Sequence, residues 1–385
     1  MYLQTLRLSQ FRAHTDSVLR AAPGVNLLVG PNGAGKTNVL EALGYLCVGK
    51  SFLASSDQHV VQRGASHFTV EGTFSGSERP EVSLRVAFVP GEGKRAFANG
   101  VPLDRLTELV GRVPLVVMSP ADHELTAGGP AERRRFLDTT LSQSHPVYLD
   151  DLVKYRRALR QKNALLQQLR RDRSLAASGL DAWDEELVHL GGRIVARRRD
   201  FLARFSEFVS EAYRLLEAPG GEPELEYAPS VEVAPEAEPS DAMRAALKRS
   251  RRRSLDLGRT LVGPHLDEVA FRLDGFDLRP FASQGQHRTF ALAVRIAEAL
   301  YLRDRFDEPP ILILDDVFGP LDPERTDLVL GLLSSGELGQ SFVSAARAEP
   351  FEGIVPFDGG SHTLFHVNQG VITSPSVPSL DPSLP

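Results

Sequence analysis

The chain has 385 residues, a formal net charge of −6 and one cysteine, Cys47. That length suits two or three domains with a sizeable core. The charge excludes a uniformly basic nucleic-acid coat, though not a local basic face, and a lone cysteine excludes an intramolecular disulfide.

Residues 1–29 read as strands and turns. Met1 to Leu8 alternates like a strand and has no apolar leader core. Val25-Asn26-Leu27-Leu28-Val29 is a short apolar run, hence a buried strand. Gly30-Pro31-Asn32-Gly33-Ala34-Gly35-Lys36-Thr37 follows and meets the pattern GxxxxGK[ST] at every fixed position. Asn38 to Leu46 then carries apolar residues three and four apart, a helix. Strand, glycine-rich loop and helix in this order build a phosphate cradle. Glycines let the backbone turn its N–H groups inward, and the helix N-terminus adds positive potential. Lys36 would reach the β- and γ-phosphates, and the Thr37 hydroxyl would ligate Mg²⁺. A glycine-rich surface turn is the alternative, and the flanking strand and helix weigh against it.

Residues 67–118 are β-rich. His67 to Phe74 and Glu81 to Val89 alternate, Pro90 to Gly93 supplies a turn, and Asn99-Gly100 is a hairpin signal. Val113 to Met118 is an apolar strand stopped by Ser119-Pro120. From Pro130 to Arg173 the chain is charged and helical in period, with Leu152, Tyr155, Leu159, Leu166 and Leu169 on one stripe. Asp181 to Leu216 is a second helical stretch. Together they predict a helical hairpin or small bundle whose longest helix has about 20 residues, roughly 30 Å. Residues 217–240 form a loop or a loop with a short strand, and Met243 to Arg253 a basic helix. An α/β texture returns from residue 254, and Ser374 to Pro385 is Ser- and Pro-rich, read as disordered. No run approaches the roughly 18 apolar residues of a membrane span.

Within that last region Ile311-Leu312-Ile313-Leu314-Asp315-Asp316 ends four apolar residues in two acids, as a buried parallel strand does. Asp315 suits Mg²⁺, and Asp316 would orient or deprotonate a water. Neighbours on a strand point oppositely, so both acids serve only if the chain bends there. Upstream, Ser283-Gln284-Gly285-Gln286 opens a helix running to about Arg303. Ser283 is a good N-cap, and the helix start is a candidate anion site. Gly319-Pro320-Leu321-Asp322 and the strand Ser341 to Ser344 follow.

The order phosphate loop, Ser-Gln-Gly-Gln helix, Asp-Asp strand and Gly-Pro-Leu-Asp loop resembles the ABC-type ATPase heads of the SMC class, and within it the RecF family. Gln10-Phe11-Arg12, Gly49-Lys50-Ser51-Phe52, Ser119-Pro120-Ala121-Asp122 and Gly129-Pro130 through Asp138 extend the match to about residue 370. The resemblance implies an α/β fold: a P-loop ATPase head split in sequence, residues 1–120 and 256–370. A helical arm is inserted at 121–255, and a disordered tail covers 371–385. The arm is too short for an SMC coiled coil.

The resemblance further implies a head-to-tail homodimer around two ATP molecules. Gly30 to Thr37 and Arg12 would contact one nucleotide. Ser283, Gly285 and Gln286 of the other copy would cap its γ-phosphate, and the Asp322 loop would cross the interface. Lys36, Asp315 and Asp316 would be catalytic, with Thr37 and Asp315 holding Mg²⁺. Ser119 and Ser344 at switch positions, and Asp316 where related ATPases carry Glu, imply slow, DNA-stimulated hydrolysis. The implied role is cytoplasmic recombinational repair and replication: binding of duplex near gaps or junctions and, with RecR and RecO, recombinase loading. Arg133, Arg156, Arg157, Arg160 and Lys162 are the DNA-contact candidates, with Arg134 and Arg135 beside them and Arg249 and Arg251 to Arg253 further on. Guanidinium groups suit backbone phosphate. A transporter ATPase subunit and a small-molecule kinase are the alternatives. An arm between the phosphate loop and the Ser-Gln-Gly-Gln helix, and the absence of Leu-Ser-Gly-Gly-Gln, stand against the transporter, and the kinase explains neither that helix nor the Gly-Pro-Leu-Asp loop.

Overall fold

The computed structural model describes residues 1–76, 80–172, 179–218, 220–233, 237–319 and 321–374. The chain forms two compact units: residues 1–120 with 295–385, and residues 121–294.

The first unit contains two six-stranded sheets. One is built from β1 (Tyr2–Phe11), β2 (His14–Arg20), β4 (Phe68–Ser75), β5 (Val82–Val89), β6 (Gly93–Ala98) and β7 (Val101–Pro102), all antiparallel, in the order β2-β1-β4-β5-β6-β7. Its alternating sequence reads directly in its burial: β4 is buried at every second residue. Asn99 and Gly100 both take positive φ in the tight turn between β6 and β7, as the Asn-Gly pair predicts.

The other sheet has the order β15-β14-β3-β13-β12-β8, from β3 (Val25–Val29), β8 (Leu115–Met118), β12 (Ile311–Asp315), β13 (Ser341–Ala345), β14 (Thr363–Asn368) and β15 (Val371–Thr373). All pairings are parallel except β14 with β15. Every residue of β3 and β12 is buried, which is why both are apolar apart from Asn26 and the terminal Asp315. Helix α1 (Lys36–Val48) leaves β3 through the phosphate loop, and its apolar residues join β1, β4 and β5 side chains in one core cluster. Helix α9 (Pro323–Ser334) links β12 to β13, with Asp322 as its N-cap. Strand β15 corrects the tail expected from residue 371: Val371 pairs with Asn368, so ordered chain continues through it. Residues 375–385 and Pro320 of the Gly-Pro-Leu-Asp loop lie outside the described residues.

The second unit comprises α2 (His123–Ala127), α3 (Pro130–Ser144), α4 (Pro146–Arg171), α5 (Leu180–Leu215), α6 (Pro239–Leu257), α7 (Leu278–Phe281) and the first half of α8 (Gln284–Phe306). It also carries a small sheet of β9 (Pro223–Ala228), β10 (Glu268–Leu273) and β11 (Phe276–Asp277). The boundary expected at 255/256 moves to 294/295 because β10 pairs along its whole length with β9. Helix length is also corrected: α5 has 36 residues, about 54 Å at 1.5 Å per residue. Gly191 and Gly192 do not break it. A Cβ on Gly191 would stand 2.4 Å from Met243 Sδ, and one on Gly192 would stand 3.0 Å from the Ser240 backbone. These glycines let α6 lie close against α5.

A buried charged network supports this unit. The Arg198 side chain is 2% exposed and bonds Asp138, Asp267, the Tyr148 hydroxyl and the Pro264 carbonyl. A guanidinium so enclosed is tolerable because carboxylates, a carbonyl and a hydroxyl accept its hydrogen bonds.

Candidate nucleotide-binding site

Three strand ends meet where the parallel sheet needs them. Ser344 of β13 is in register with Asp315 of β12 on one side and Leu28 of β3 on the other. Ligands of open α/β sheets sit at these carboxyl ends. A cleft of about 240 Å³ lies here, lined by Asn32 through Asn38 with Asp316, Ser344 and Ala346. The phosphate loop and the acid strand, nearly 280 residues apart, are thus brought together.

Asp315 is buried and accepts from the Thr37 hydroxyl at 2.8 Å and the Ser344 hydroxyl at 2.7 Å. The Ser344 oxygen also accepts from the Asp316 N–H at 3.0 Å. Asp316 has φ 52°, so the chain bends at the end of β12 and its exposed side chain lines the same cleft. This is the bend that two adjacent acids require. Asp is among the residues that tolerate the left-handed region. Lys36 Nζ donates to the Gly30 carbonyl at 2.6 Å and the Pro31 carbonyl at 3.1 Å. Burial lowers the Lys36 pKa, while Asp316 and Asp315 oppose the shift. Thr37, Asp315 and Asp316 form an oxygen-rich set of the kind hard divalent cations take.

Arg12 goes elsewhere. Its guanidinium forks onto Glu41 of α1 at 2.8 and 2.7 Å and donates to the His59 carbonyl at 2.9 Å. The Glu41 side chain is 0% exposed, and a buried carboxylate needs a counter-charge. Arg12 is not among the residues lining the cleft, and neither is Ser119. Glu41, which sequence reasoning passed over, is an acid on an otherwise apolar helix face, and that is the signal that finds it.

Ser283, Gly285 and Gln286 lie in the second unit. Gln286 N–H donates to Ser283 Oγ at 3.2 Å, and Ser283 N–H donates to Gln286 Oε1 at 2.8 Å. Ser-Gln-Gly-Gln is therefore a capping box. Ser283 and Gly285 are exposed, and the Ser283 hydroxyl proton is not used by the cap.

The DNA-contact candidates divide sharply. Arg133 is buried, donating to Glu268 at 2.9 Å and to the Gly128 carbonyl at 3.0 Å. Lys162 is buried against Asp184. Arg156 is exposed but paired with Asp138 at 2.7 Å. Burial and pairing correct Arg133 and Lys162 as DNA contacts, since their side chains are 7% and 4% exposed and each is paired with an acid. Arg157 and Arg160 are exposed on α4 without an ion pair among the described residues. Lys248, Arg249, Arg252 and Arg253 are exposed on α6 in the same condition, while Arg251 bonds Asp181. Arg134 and Arg135 are engaged by the Asp267 carbonyl and by Glu132.

The family model for the RecF/RecN/SMC N-terminal domain matches residues 2–371. The DNA replication and repair protein RecF of Salinibacter ruber is 48% identical over 382 residues, covering 98% of this chain and 93% of that protein. The chain belongs to the RecF family. The Chloroherpeton thalassium RecF is 38% identical over 91% of this chain and 96% of that protein. A solved structure of the recombination mediator protein RecF with ATP, described within the RecFOR pathway, shares 29% identity and superposes with a TM-score of 0.88 over 97% of this chain and 98% of that one. An SMC head bound to the C-terminal winged-helix domain of ScpA, 17% identical with a TM-score of 0.57 over 98% of each chain, shares the fold. The ABC-type ATPase head is therefore the fold of this chain, and the transporter reading finds no support among these relatives.

Proposed function

We propose that this chain is an ATP-driven DNA-binding switch of recombinational repair. ATP would close a homodimer on duplex DNA near gaps, slow hydrolysis would reopen it, and RecR and RecO would be its partners in recombinase loading. One observation carries the reading: Thr37, Asp316 and Ser344 line a cleft walled by Asn32 to Thr37 of the phosphate loop, and Asp315 bonds both Thr37 and Ser344. The relative solved with ATP supports the choice of nucleotide.

The cleft suits a triphosphate. Lys36 would leave the Gly30 and Pro31 carbonyls, which hold it beside the cleft, for the β- and γ-phosphates. Thr37 Oγ1 and Asp315 Oδ1, 2.8 Å apart, fit a Mg²⁺ bound by one directly and by the other directly or through water. The ion supplies charge neutralisation at the phosphates. Asp316 would orient the attacking water. Ser344 holds both acids through one hydroxyl, so it acts on their placement. Ser283 and Gly285 of the second copy would reach the γ-phosphate from an exposed, already capped helix start. Phosphate contact on DNA is assigned to Arg157 and Arg160 with Lys248, Arg249, Arg252 and Arg253 of α6, since these charges are exposed and have no ion pair among the described residues. A cytoplasmic location follows from the repair role.

Sedimentation of wild type and Lys36→Arg with Mg²⁺-ATP, with and without a gapped duplex, tests the reading. ATP-dependent dimers that capture the duplex are expected. A wild type that stays monomeric with ATP and ignores DNA overturns it.

A further inference from the structure

Outside the residues that line the cleft, His14, Ser17 and Gly370 join the phosphate loop through four hydrogen-bonding contacts that close a ring. The Ala34 carbonyl accepts from the Gly370 N–H at 2.9 Å. The Gly35 carbonyl meets His14 Nε2 at 3.1 Å. His14 Nδ1 meets Ser17 Oγ at 3.0 Å, and Ser17 Oγ donates to the Gly370 carbonyl at 2.9 Å. His14 is 0% exposed and Ser17 6%. Gly370 stands in the β14–β15 turn with φ 78°, after Gln369 at 47°.

The ring bears on the direction of two peptide groups. In a planar trans peptide the C=O and the following N–H point oppositely. Holding the Ala34 and Gly35 carbonyls on Gly370 and His14 therefore aims the N–H groups of Gly35 and Lys36, two residues that line the cleft, away from the ring. The Gly35 carbonyl also starts α1, accepting from Asn38 and Val39 at 3.1 and 3.2 Å, so the ring fixes loop and helix start as one body. Close approach demands glycine on both sides. A Cβ on Gly35 would stand 2.9 Å from His14 Nε2, and one on Gly370 would stand 2.0 Å from the Ala13 carbonyl oxygen.

We infer that His14, with Ser17 and Gly370, is a positioning residue that presets the phosphate loop for a nucleotide's phosphates. The inference rests on the ATP reading and adds to it the turn that ends the parallel sheet. Burial depresses the His14 pKa, so the ring is neutral at pH 7. A carbonyl can only accept, so the proton sits on Nε2. Nδ1 is then an acceptor, and the single Ser17 hydroxyl proton serves Nδ1 or the Gly370 carbonyl in turn.

The test compares His14→Gln with His14→Asn in the full chain, reading the dissociation constant of a fluorescent ATP analogue and the melting temperature without nucleotide. Gln places its amide N–H where Nε2–H stands, whereas Asn is too short to reach Gly35. Gln is expected to keep the dissociation constant within about twofold. Asn is expected to raise it about tenfold, the worth of one such hydrogen bond, at a similar melting temperature. Ser17→Ala, a milder change, is expected to raise it about threefold on the same reasoning. Wild-type affinity in folded His14→Asn or in Ser17→Ala overturns the inference. So does an equal loss in Gln and Asn that tracks melting temperature. A wild type that fails to bind the analogue sinks the ATP reading instead.

Discussion

Arg12→Ala separates a structural arginine from a nucleotide contact. The substitution removes three donated bonds, two to Glu41 and one to the His59 carbonyl. It leaves a fully buried carboxylate with the Ser51 hydroxyl as its remaining hydrogen-bond partner among the described residues. Stripping one partner from a buried pair costs about 3–5 kcal/mol. Arg12 is 24% exposed, so water reaches its side of the pair, and the lower end, about 3 kcal/mol, applies. For a unit of roughly 200 residues that is a fall of about 6–12 °C in melting temperature. Calorimetry without nucleotide reads it directly. Replacing both partners with apolar side chains, Arg12→Met with Glu41→Met, is expected to restore most of the loss, because no charge is left stranded. ATP affinity of the double variant is expected to match wild type. An Arg12→Ala protein that melts like wild type refutes the reasoning. So does a restored double variant that has lost ATP binding tenfold or more, which would return Arg12 to the nucleotide.

Asp316→Asn is expected to keep ATP-dependent dimers while slowing hydrolysis about 10²–10⁴-fold, the range for a general base; phosphate release and light scattering read the two effects. Arg252→Ala with Arg253→Ala is expected to weaken duplex binding uniformly and to lower the salt slope by about two, whereas Lys162→Ala lowers the melting temperature and leaves that slope unchanged. His265 is depressed to about 4 from 6.5, chiefly by burial. The unfolded chain binds the extra proton first, so this contribution is whole above pH 6.5 and is lost as pH falls toward 4, about 3 kcal/mol in all; denaturant melts across that window check it, and His265→Gln is expected to flatten the slope. Gly192→Ala is expected to destabilise, despite the roughly 1 kcal/mol that helix propensity favours, because its Cβ meets Ser240 backbone; a raised melting temperature would contradict that contact.

The phosphate loop and the apolar strands were legible because local chemistry dictates them. Gly30 to Thr37 can hardly be another structure between a buried strand and a helix, and the runs before Gly30 and Asp315 are buried on both faces. The Asp315–Asp316 bend was recognisable only as a requirement, since a φ of 52° at Asp316 leaves no mark in composition. The charged residues were the least readable. Arg133 and Lys162 look like their exposed neighbours in sequence, and only the packing of α3 and α4 turns them inward. The span of α5 is legible, since the stretch from Asp181 to Leu216 matches it, but a longest helix of about 20 residues falls short of its 36, and nothing in composition shows that Gly191-Gly192 is the seat of α6. The His14 ring was invisible for a different reason: its members come from opposite ends of the chain.

That separation has a consequence for biosynthesis. Strand β3 has β13 and β14 as its two neighbours, and both leave the ribosome more than 300 residues after it. At about 5–20 residues per second the interval is roughly 15–60 s. The antiparallel sheet comes almost entirely from the first hundred residues, so it can assemble early, and the second unit can follow as it emerges. Throughout, Val25 to Val29 waits with both edges open, an apolar segment next to a finished sheet. Nascent chains stalled before β13 should therefore be the aggregation-prone species and the natural clients of ribosome-associated chaperones, with release of the C-terminal strands as the event that closes the head.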